Sequence, residues 1–386
     1  MQILYLSTGI FKIRYGQQTY EWHFLSSCIK EYPYNNFRII LLNDYEIPYS
    51  WEFKSPYIKF ILCGSNIRLI SKIKFVLISF WSTLIGRPKL IICGHINLSP
   101  IAWIISCIFK IEYIVLTYGE DAWGIKSKFK LIALSYAHSI ISMSHYTAQK
   151  IKEQVPQYKN EIFVLPASID TQLFRPDKRS DILSKRYNLD GYKVLMTLGR
   201  LDYADRDKGC DKVIISLPKV IEEIPKVKYL LVGEGDDIPR LLKLASNLGL
   251  QDNVIFTGFI QHNELCLYYN LCDVFVMPSK QEGFGIVFLE ALACGKPVIA
   301  GNQDGSREAL LDGRLGLLVD PEDIDEISEA IIKILKCEVD RRFLDENFLR
   351  QSVMENFGVE RFNQKLSYFL DYINNAQKPY QTNIQS

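Results

Sequence analysis

The chain has 386 residues, 48% hydrophobic and 23% charged, with a net charge of +1, which excludes a disordered or fibrous protein and makes about two domains the expectation. The nine cysteines (28, 63, 93, 107, 210, 266, 272, 294 and 337) are odd in number and scattered, without a CxxC pair or Cys/His cluster; this argues against a disulfide framework or a zinc site and for reduced thiols in a cytosolic compartment. Charge is unevenly spread: residues 1–150 hold 16 Lys/Arg against 8 Asp/Glu, residues 151–386 hold 29 against 36, so an anionic surface or ligand is expected for the first half.

The opening MQILYLSTGIF lacks a basic region and a small-residue cleavage site, and reads as a first β-strand rather than a signal peptide. Further strands are expected at 37–43, 57–63, 89–94, 112–117, 139–144 and 162–168, then at 193–199, 228–233, 253–258, 273–279, 296–301 and 316–320. These are continuous Val/Ile/Leu runs separated by helical patterns, the signature of buried parallel strands in βαβ units. The fold class is therefore α/β, with two Rossmann-like doubly wound parallel-sheet domains. The polar, turn-rich FRPDKRSDILSKRYNLDG (174–191) marks the junction. The expected division is a domain over 1–175, a linker over 176–190, a second domain over 191–357, and a C-terminal helix with polar tail over 358–386 that packs back on the first domain. Ligands of such folds sit at the carboxyl ends of strands near a topological switch point, and the cleft between two such domains is the default site.

In the second half Gly199-Arg200 ends a strand, and Lys208-Gly209 follows in a polar loop; a guanidinium and an ammonium there suit a pyrophosphate. The plainer reading is a solvated basic loop. Gly233-Glu234-Gly235 ends another strand, where glycine more often just makes the turn. The stretch SKQEGFGIVFLEALACGKP (279–297) says more. A loop to Gly285 leads into a buried helix ending at Gly295, with Pro297 beyond. Gly283, Phe284 and Gly285 therefore lie where free amides and the helix dipole favour an anion. Glu282 and Glu290 sit eight apart in apolar surroundings, where carboxylates are costly unless something satisfies them. Each has a local alternative: Glu282 as an acid favoured by the helix dipole, Glu290 as a buried acid paired with a cation.

These segments resemble the family 4 retaining glycosyltransferases, also described as glycosyl transferases group 1. The likeness is carried by GRLDYADRDKG (199–209), YLLVGEGDDIPRL (229–241), NVIFTGFI (253–260), LCDVFVMPSKQEGFGIVFLEALACGKPVIAG (271–301) and GRLGLLVDPED (313–323). The resemblance implies the GT-B architecture, two Rossmann-like domains facing an inter-domain cleft, and a nucleotide-diphosphate sugar as donor. It implies that Arg200 and Lys208 hold the diphosphate, that Glu282 contacts hydroxyls of the transferred sugar and Glu290 the ribose, and that backbone around Phe259-Ile260 meets the base. In the first half GHINLSPIAW (94–103), LTYGEDAW (116–123), AHSIISMSHYT (137–147) and VLPASIDTQLFRP (164–176) are similar to family segments. Many relatives have a histidine where this chain has Tyr118, so that histidine's role cannot be carried over. His95 is the nearest substitute as a catalytic group, and Glu120 and Asp121 are candidates to orient an acceptor hydroxyl. Their plainer readings are a locally bonded histidine and acids at a helix start.

The resemblance implies glycosyl transfer with retention by a front-face path, and no cofactor. Without a DxD or HxD cluster near the phosphates, metal independence is expected, Arg200 and Lys208 standing in for the cation. Residues 67–89 combine Arg68, Lys72, Lys74, Arg87 and Lys89 with Phe75, Phe80 and Trp81 around an apolar centre read as too short to span a bilayer. Peripheral membrane contact there is expected, on the cytoplasmic side, with a lipid-linked saccharide acceptor as in surface polysaccharide synthesis. The alternative is a core-packed helix with solvated lysines. Gly9 and Gly16 would flank an acceptor-side loop. Two other readings share the architecture: a nucleotide-sugar epimerase, disfavoured by the basic aromatic stretch, and a non-catalytic nucleotide-sugar-binding subunit, kept open by Tyr118. Nucleic-acid binding has no motif support.

Overall fold

The computed structural model describes residues 1–11, 16–48 and 55–376, the last three in backbone only. Residues 12–15 of the expected acceptor loop and the tail beyond 376 lie outside them. The chain divides into two units, Met1–Pro166 with the residues from Glu360 on, and Ala167–Val359.

The first unit runs β1 (Gln2–Ser7), α1 (Gly16–Glu31), β2 (Asn36–Leu41), β3 (Ile58–Leu62), α2 (Arg68–Gly86), β4 (Leu90–Cys93), α3 (Ser99–Phe109), β5 (Glu112–Thr117), α4 (Lys128–Ser135), β6 (Ser139–Ser142), α5 (His145–Gln154) and β7 (Ile162–Val164). Its seven strands are all parallel, in the order β3-β2-β1-β4-β5-β6-β7. Ile3–Ser7, Leu90–Cys93 and Ser139–Ser142 are buried without alternation, as strands covered by helices on both faces must be.

The second unit runs α6 (Asp181–Arg186), β8 (Lys193–Leu198), α7 (Cys210–Glu223), β9 (Val227–Val232), α8 (Ile238–Asn247), β10 (Val254–Phe256), α9 (Leu265–Tyr269), β11 (Val274–Met277), α10 (Ile286–Ala293), β12 (Val298–Gly301), α11 (Ser306–Ala309), β13 (Leu317–Val319), α12 (Ile324–Leu335) and α13 (Glu346–Phe357). Six parallel strands lie in the order β10-β9-β8-β11-β12-β13. Val213, Ile214 and Leu217 of α7 and Ile327, Ile331 and Ile334 of α12 close one face over Tyr229, Leu231, Val274, Val276 and Ile299. Arg350 of α13 donates to the carbonyls of Thr171, Phe174 and Ala293, tying the unit's first residues to the end of α10.

Two stretches differ from expectation. Residues 176–190 fold with the second unit instead of linking two domains. Ser180 caps α6, Arg179 donates to Ser184 Oγ and the Leu189 carbonyl, and Asn270 Oδ1 accepts from the Asp177 amide. Arg179, one of the charges that suggested a linker, is satisfied largely by local main-chain carbonyls. The stretch ENFGVERFNQKLSYFLDYI (355–373), with apolar residues at 357, 362, 366, 369, 370 and 373, has the spacing of one helix but is broken at Gly358: α13 ends at Phe357, and α14 (Val359–Ala376) joins the first unit from Glu360 on. There Phe362 meets Tyr20 edge-on, Phe369 stacks on Phe163 at 4.5 Å, and Tyr32 donates to Asp371.

Helix α2 corrects a third expectation. Its 19 residues are long and apolar enough, by length and composition, to cross a membrane. It packs against β1, β2 and α3 as part of the first unit, and Arg38 donates to the Ser82 carbonyl.

In each sheet the strand order reverses once, between β1 and β4 in the first and between β8 and β11 in the second. The loops leaving these strands at their carboxyl ends are where a doubly wound sheet receives a ligand.

Candidate functional site

In the second unit, the loops after β8 and β11 bring together residues far apart in sequence. Lys208 closes the 3-10 turn Tyr203–Lys208 after β8, and its Nζ lies 3.1 Å from Glu282 Oε2. Both side chains are about one-fifth exposed, 21% and 22%, so the pair is reachable but partly shielded from water. Arg200 Nη2 bonds Asp205 Oδ1 at 2.9 Å, leaving most of the guanidinium exposed. Burial raises the pKa of Asp205, opposed by Lys208 and Arg200, and its Oδ2 is buried without a hydrogen-bond partner among the described residues.

Gly285, the residue before α10, has φ 88° and offers no side-chain cap; only glycine takes this left-handed conformation at no steric cost, and a Cβ would stand 2.3 Å from the Phe288 ring. Among the described residues no side-chain cap bonds the start of α10, the property that suits an anion. Helix α10 ends at Ala293, with Gly295 in the left-handed region beyond, as the sequence pattern required.

Glu290 lies on the buried side of α10, and Tyr269 of α9 donates to its Oε2 at 2.7 Å. Burial pushes the Glu290 carboxyl up to about 7, with the Tyr269 hydrogen bond pulling the other way. The Phe284 ring is buried against Phe357 at 5.6 Å, which corrects its place as a ligand contact: only its backbone is available. Gly233 packs so closely on Gly199 that a Cβ would lie 1.9 Å from the Gly199 carbonyl oxygen; its amide donates to the Gly258 carbonyl, so the glycine serves loop packing. Phe259 is exposed beside Ile260 after β10.

In the first unit the candidates are largely occupied with one another. His95 Nδ1 accepts from the Asn97 amide at 2.9 Å, capping the turn Ile96–Leu98. Burial, with Lys130 second, pushes His95 down to about 4. The ring is neutral at ordinary pH, and with Nδ1 accepting its proton lies on Nε2, which makes Nε2 a hydrogen-bond donor. Tyr118 is buried, and its hydroxyl donates to the Gly94 carbonyl just before His95. Asp121 Oδ1 accepts from the Tyr118 and Gly119 amides at 3.1 and 2.8 Å, the return half of a capping arrangement. Burial raises Asp121 to about 6, and its Oδ2 is buried without a partner among the described residues. Glu120 is exposed, and Gly16 is the first residue of α1.

Three residues escaped the sequence reading. Tyr269 is the partner of Glu290. Asp44, after β2, takes the Ile10 and Phe11 amides on Oδ2 at 2.7 and 3.2 Å. Asp304, after β12, takes the Glu282 amide at 2.7 Å. Both aspartates follow a buried strand by a few residues, the one local signal available. Among the described residues no group of three His, Cys, Asp or Glu is arranged to hold a metal ion.

Comparison with known proteins places these loops in a family. Residues 180–350 match the family described as Glycosyl transferases group 1. A GDP-mannose-dependent alpha-(1-6)-phosphatidylinositol monomannoside mannosyltransferase of Mycolicibacterium smegmatis is 38% identical over 179 residues, 44% of this chain and 46% of that protein. The chain thus spans about half the length of this curated relative. An uncharacterized glycosyltransferase of Methanocaldococcus jannaschii is 33% identical over 333 residues, 83% of this chain and 73% of that protein. Sucrose-phosphate synthase from Thermosynechococcus elongatus superposes with a TM-score of 0.78 over 98% of this chain and 100% of that one, at 22% identity, a likeness of fold. The chain has the GT-B fold class of two Rossmann-like domains and belongs to the glycosyl transferases group 1, a family of glycosyltransferase enzymes.

Proposed function

We propose that the chain transfers a glycosyl group from a nucleotide-diphosphate sugar to the hydroxyl of a lipid-linked saccharide, with retention at the anomeric carbon. The observation that carries this reading is the convergence of Lys208 and Arg200 with Glu282 beside the uncapped start of α10. A diphosphate arriving there takes Lys208 from Glu282 and frees that carboxylate to accept hydrogen bonds from sugar hydroxyls. Glu290, oriented by Tyr269, is left for the ribose diol. As the bond between the anomeric carbon and the diphosphate breaks, charge grows on the leaving oxygens, and Arg200, Lys208 and the amides of 283–285 stand to stabilise it. In a front-face path the acceptor oxygen bonds to the same face of that carbon, and its proton passes to the departing phosphate. We propose that no metal is required, because two cationic side chains already serve the diphosphate.

A lipid-linked acceptor is supported by the mannosyltransferase relative, whose name gives GDP-mannose as donor and a phosphatidylinositol mannoside as acceptor. It is also supported by α2. Ile70, Ile73, Leu77, Trp81 and Leu84 are 39–64% exposed, while Ser71, Ser79, Ser82 and Thr83 are buried. A helix on a water-facing surface has the opposite arrangement. Exposed apolar side chains also stand on α3 (Ile104, Ile108), which meets α2 through the Phe80–Phe109 contact, and on α4 (Phe129), whose end meets α3 through the Trp103–Tyr136 stack. Residues 53–111 contain eight Lys/Arg and no Asp or Glu, which suits the anionic cytoplasmic face of a membrane.

The test is turnover with a panel of nucleotide sugars and membrane lipid extract, with and without EDTA. Transfer to an extractable lipid, unchanged by EDTA, is expected. Loss of activity in EDTA would overturn metal independence, and conversion of the nucleotide sugar without any glycosylated product would favour the epimerase.

A further inference from the structure

We infer that Asp304 is the positioning residue of the donor-side loop, setting where Glu282 and the amides of Gly283–Gly285 stand. The inference rests on the transfer reading above. Asp304 lies in the turn between β12 and α11 and is 2% exposed. Its Oδ2 accepts from the Glu282 amide at 2.7 Å and from Ser279 Oγ at 2.9 Å. Its Oδ1 accepts from the Ser306 amide at 3.0 Å and from the Ser306 hydroxyl, which also lies 3.0 Å from the Gly301 carbonyl. The neighbouring Gly305 amide donates to the Glu282 carbonyl at 2.9 Å. The backbone of Glu282 is thus gripped at its N–H by one residue and at its C=O by the next.

Four donors converge on this carboxylate, so it has little left to offer a ligand. What it fixes is the height of Glu282 above the start of α10, and through Glu282 the position of Lys208. Burial pushes Asp304 up to about 6, with the Ser306 and Glu282 hydrogen bonds opposing the rise, so the carboxylate is held against its desolvation by the geometry it organises. An asparagine of the same shape has one acceptor and one donor group. Whichever way it faces, its NH2 meets either the Glu282 amide and Ser279 hydroxyl or the two Ser306 donors. The loop must then shift, and displacements near 1 Å can cost on the order of 100-fold in rate.

The experiment compares Asp304→Asn with Ser279→Ala, which removes one donor and keeps the Glu282 bond. It measures kcat and KM for donor and acceptor separately, binding of UDP, GDP and ADP by calorimetry, and thermal unfolding. Asp304→Asn is expected to lower donor kcat/KM and nucleotide affinity at least tenfold with acceptor KM unchanged, and Ser279→Ala to change them less than threefold. A folded Asp304→Asn with donor kcat/KM and nucleotide binding intact overturns the inference. So does an equal loss in donor and acceptor terms, the mark of a merely structural role. If Asp304→Asn does not fold, Ser306→Ala takes its place: it leaves the carboxylate but frees Oδ1, and a threefold or larger rise in donor KM is expected, no change overturning the inference. Lys208→Ala and Glu282→Ala run alongside. Intact activity in those two sinks the transfer reading itself, whereas their loss with Asp304→Asn unaffected sinks only the positioning role.

Discussion

The first unit places Asp44 just past β2, where it takes two amides of the turn after β1; the second places Asp304 just past β12, where it takes an amide of the loop after β11. Each is a buried carboxylate on the strand next to a switch-point strand, bracing that strand's outgoing loop. Beyond this shared device the units part. In the second, Arg200, Lys208 and Glu282 keep charged atoms partly exposed beside the braced loop. In the first, His95, Tyr118 and Asp121 spend hydrogen-bonding atoms on nearby backbone, and much of the outward character lies in the apolar face of α2. A site for a diphosphate can be made from mobile charges on a rigid frame. A site for an amphiphilic acceptor asks more of shape and apolar surface.

The largest effect should come from the charged side of this contrast. Lys208→Ala is expected to lower kcat/KM by roughly 100-fold or more, as loss of a preorganised charge contact does, with the fold retained. A loss under threefold would remove Lys208 from the diphosphate. Next, Leu77→Glu combined with Trp81→Glu should weaken sedimentation with phosphatidylglycerol vesicles at least tenfold, with activity on a soluble acceptor retained. Undiminished binding would show that α2 is not the contact. Tyr118→Phe leaves the Gly94 carbonyl without its buried donor and should cost about 1 kcal/mol of stability, read from denaturant midpoints. A neutral effect would mean that the hydroxyl does not hold the His95 turn.

The remaining effect is one of pH and concerns Glu290. Its pKa in the folded chain, about 7, lies above the ordinary 4.5. Between those values the folded protein keeps a proton the unfolded chain has lost, so stability falls as pH rises through that window and the penalty is complete above it. The melting temperature of Glu290→Gln relative to the parent should therefore climb from pH 5 to 7 and level off above. A flat difference would place Glu290 in a more polar setting.

All thirteen strands among the described residues were legible, since a strand buried on both faces is a run of Val, Ile and Leu, and the ends of α10 were legible from Gly285 and Gly295. The second-unit cluster was legible through its glycines and charges. Tyr269 and Asp304 were not, because they stand 21 and 22 residues from Glu290 and Glu282 and meet them only after the sheet forms. The orientation of α2 was hidden for a different reason. Periodicity says that most of its apolar residues and its hydroxyl residues lie on opposite sides, but core membership normally goes to the apolar side, and here Ser71, Ser79, Ser82 and Thr83 take it together with Phe75. The stretch 174–191 misled because Arg179 finds partners in main-chain carbonyls, which sequence does not display.

The passage of the chain back into the first unit at Glu360 makes the second unit, in effect, an insertion within the first. During synthesis, residues 167–359 are all available to fold before Phe362, Leu366 and Phe369 have emerged to complete the core around Tyr20 and Phe163. The second unit, for which we propose nucleotide binding, can mature first, and the first unit is finished last. A single cut cannot separate the two: an isolated first unit has to carry residues 360–376 joined to Pro166, whereas 167–359 can be expressed as one continuous piece.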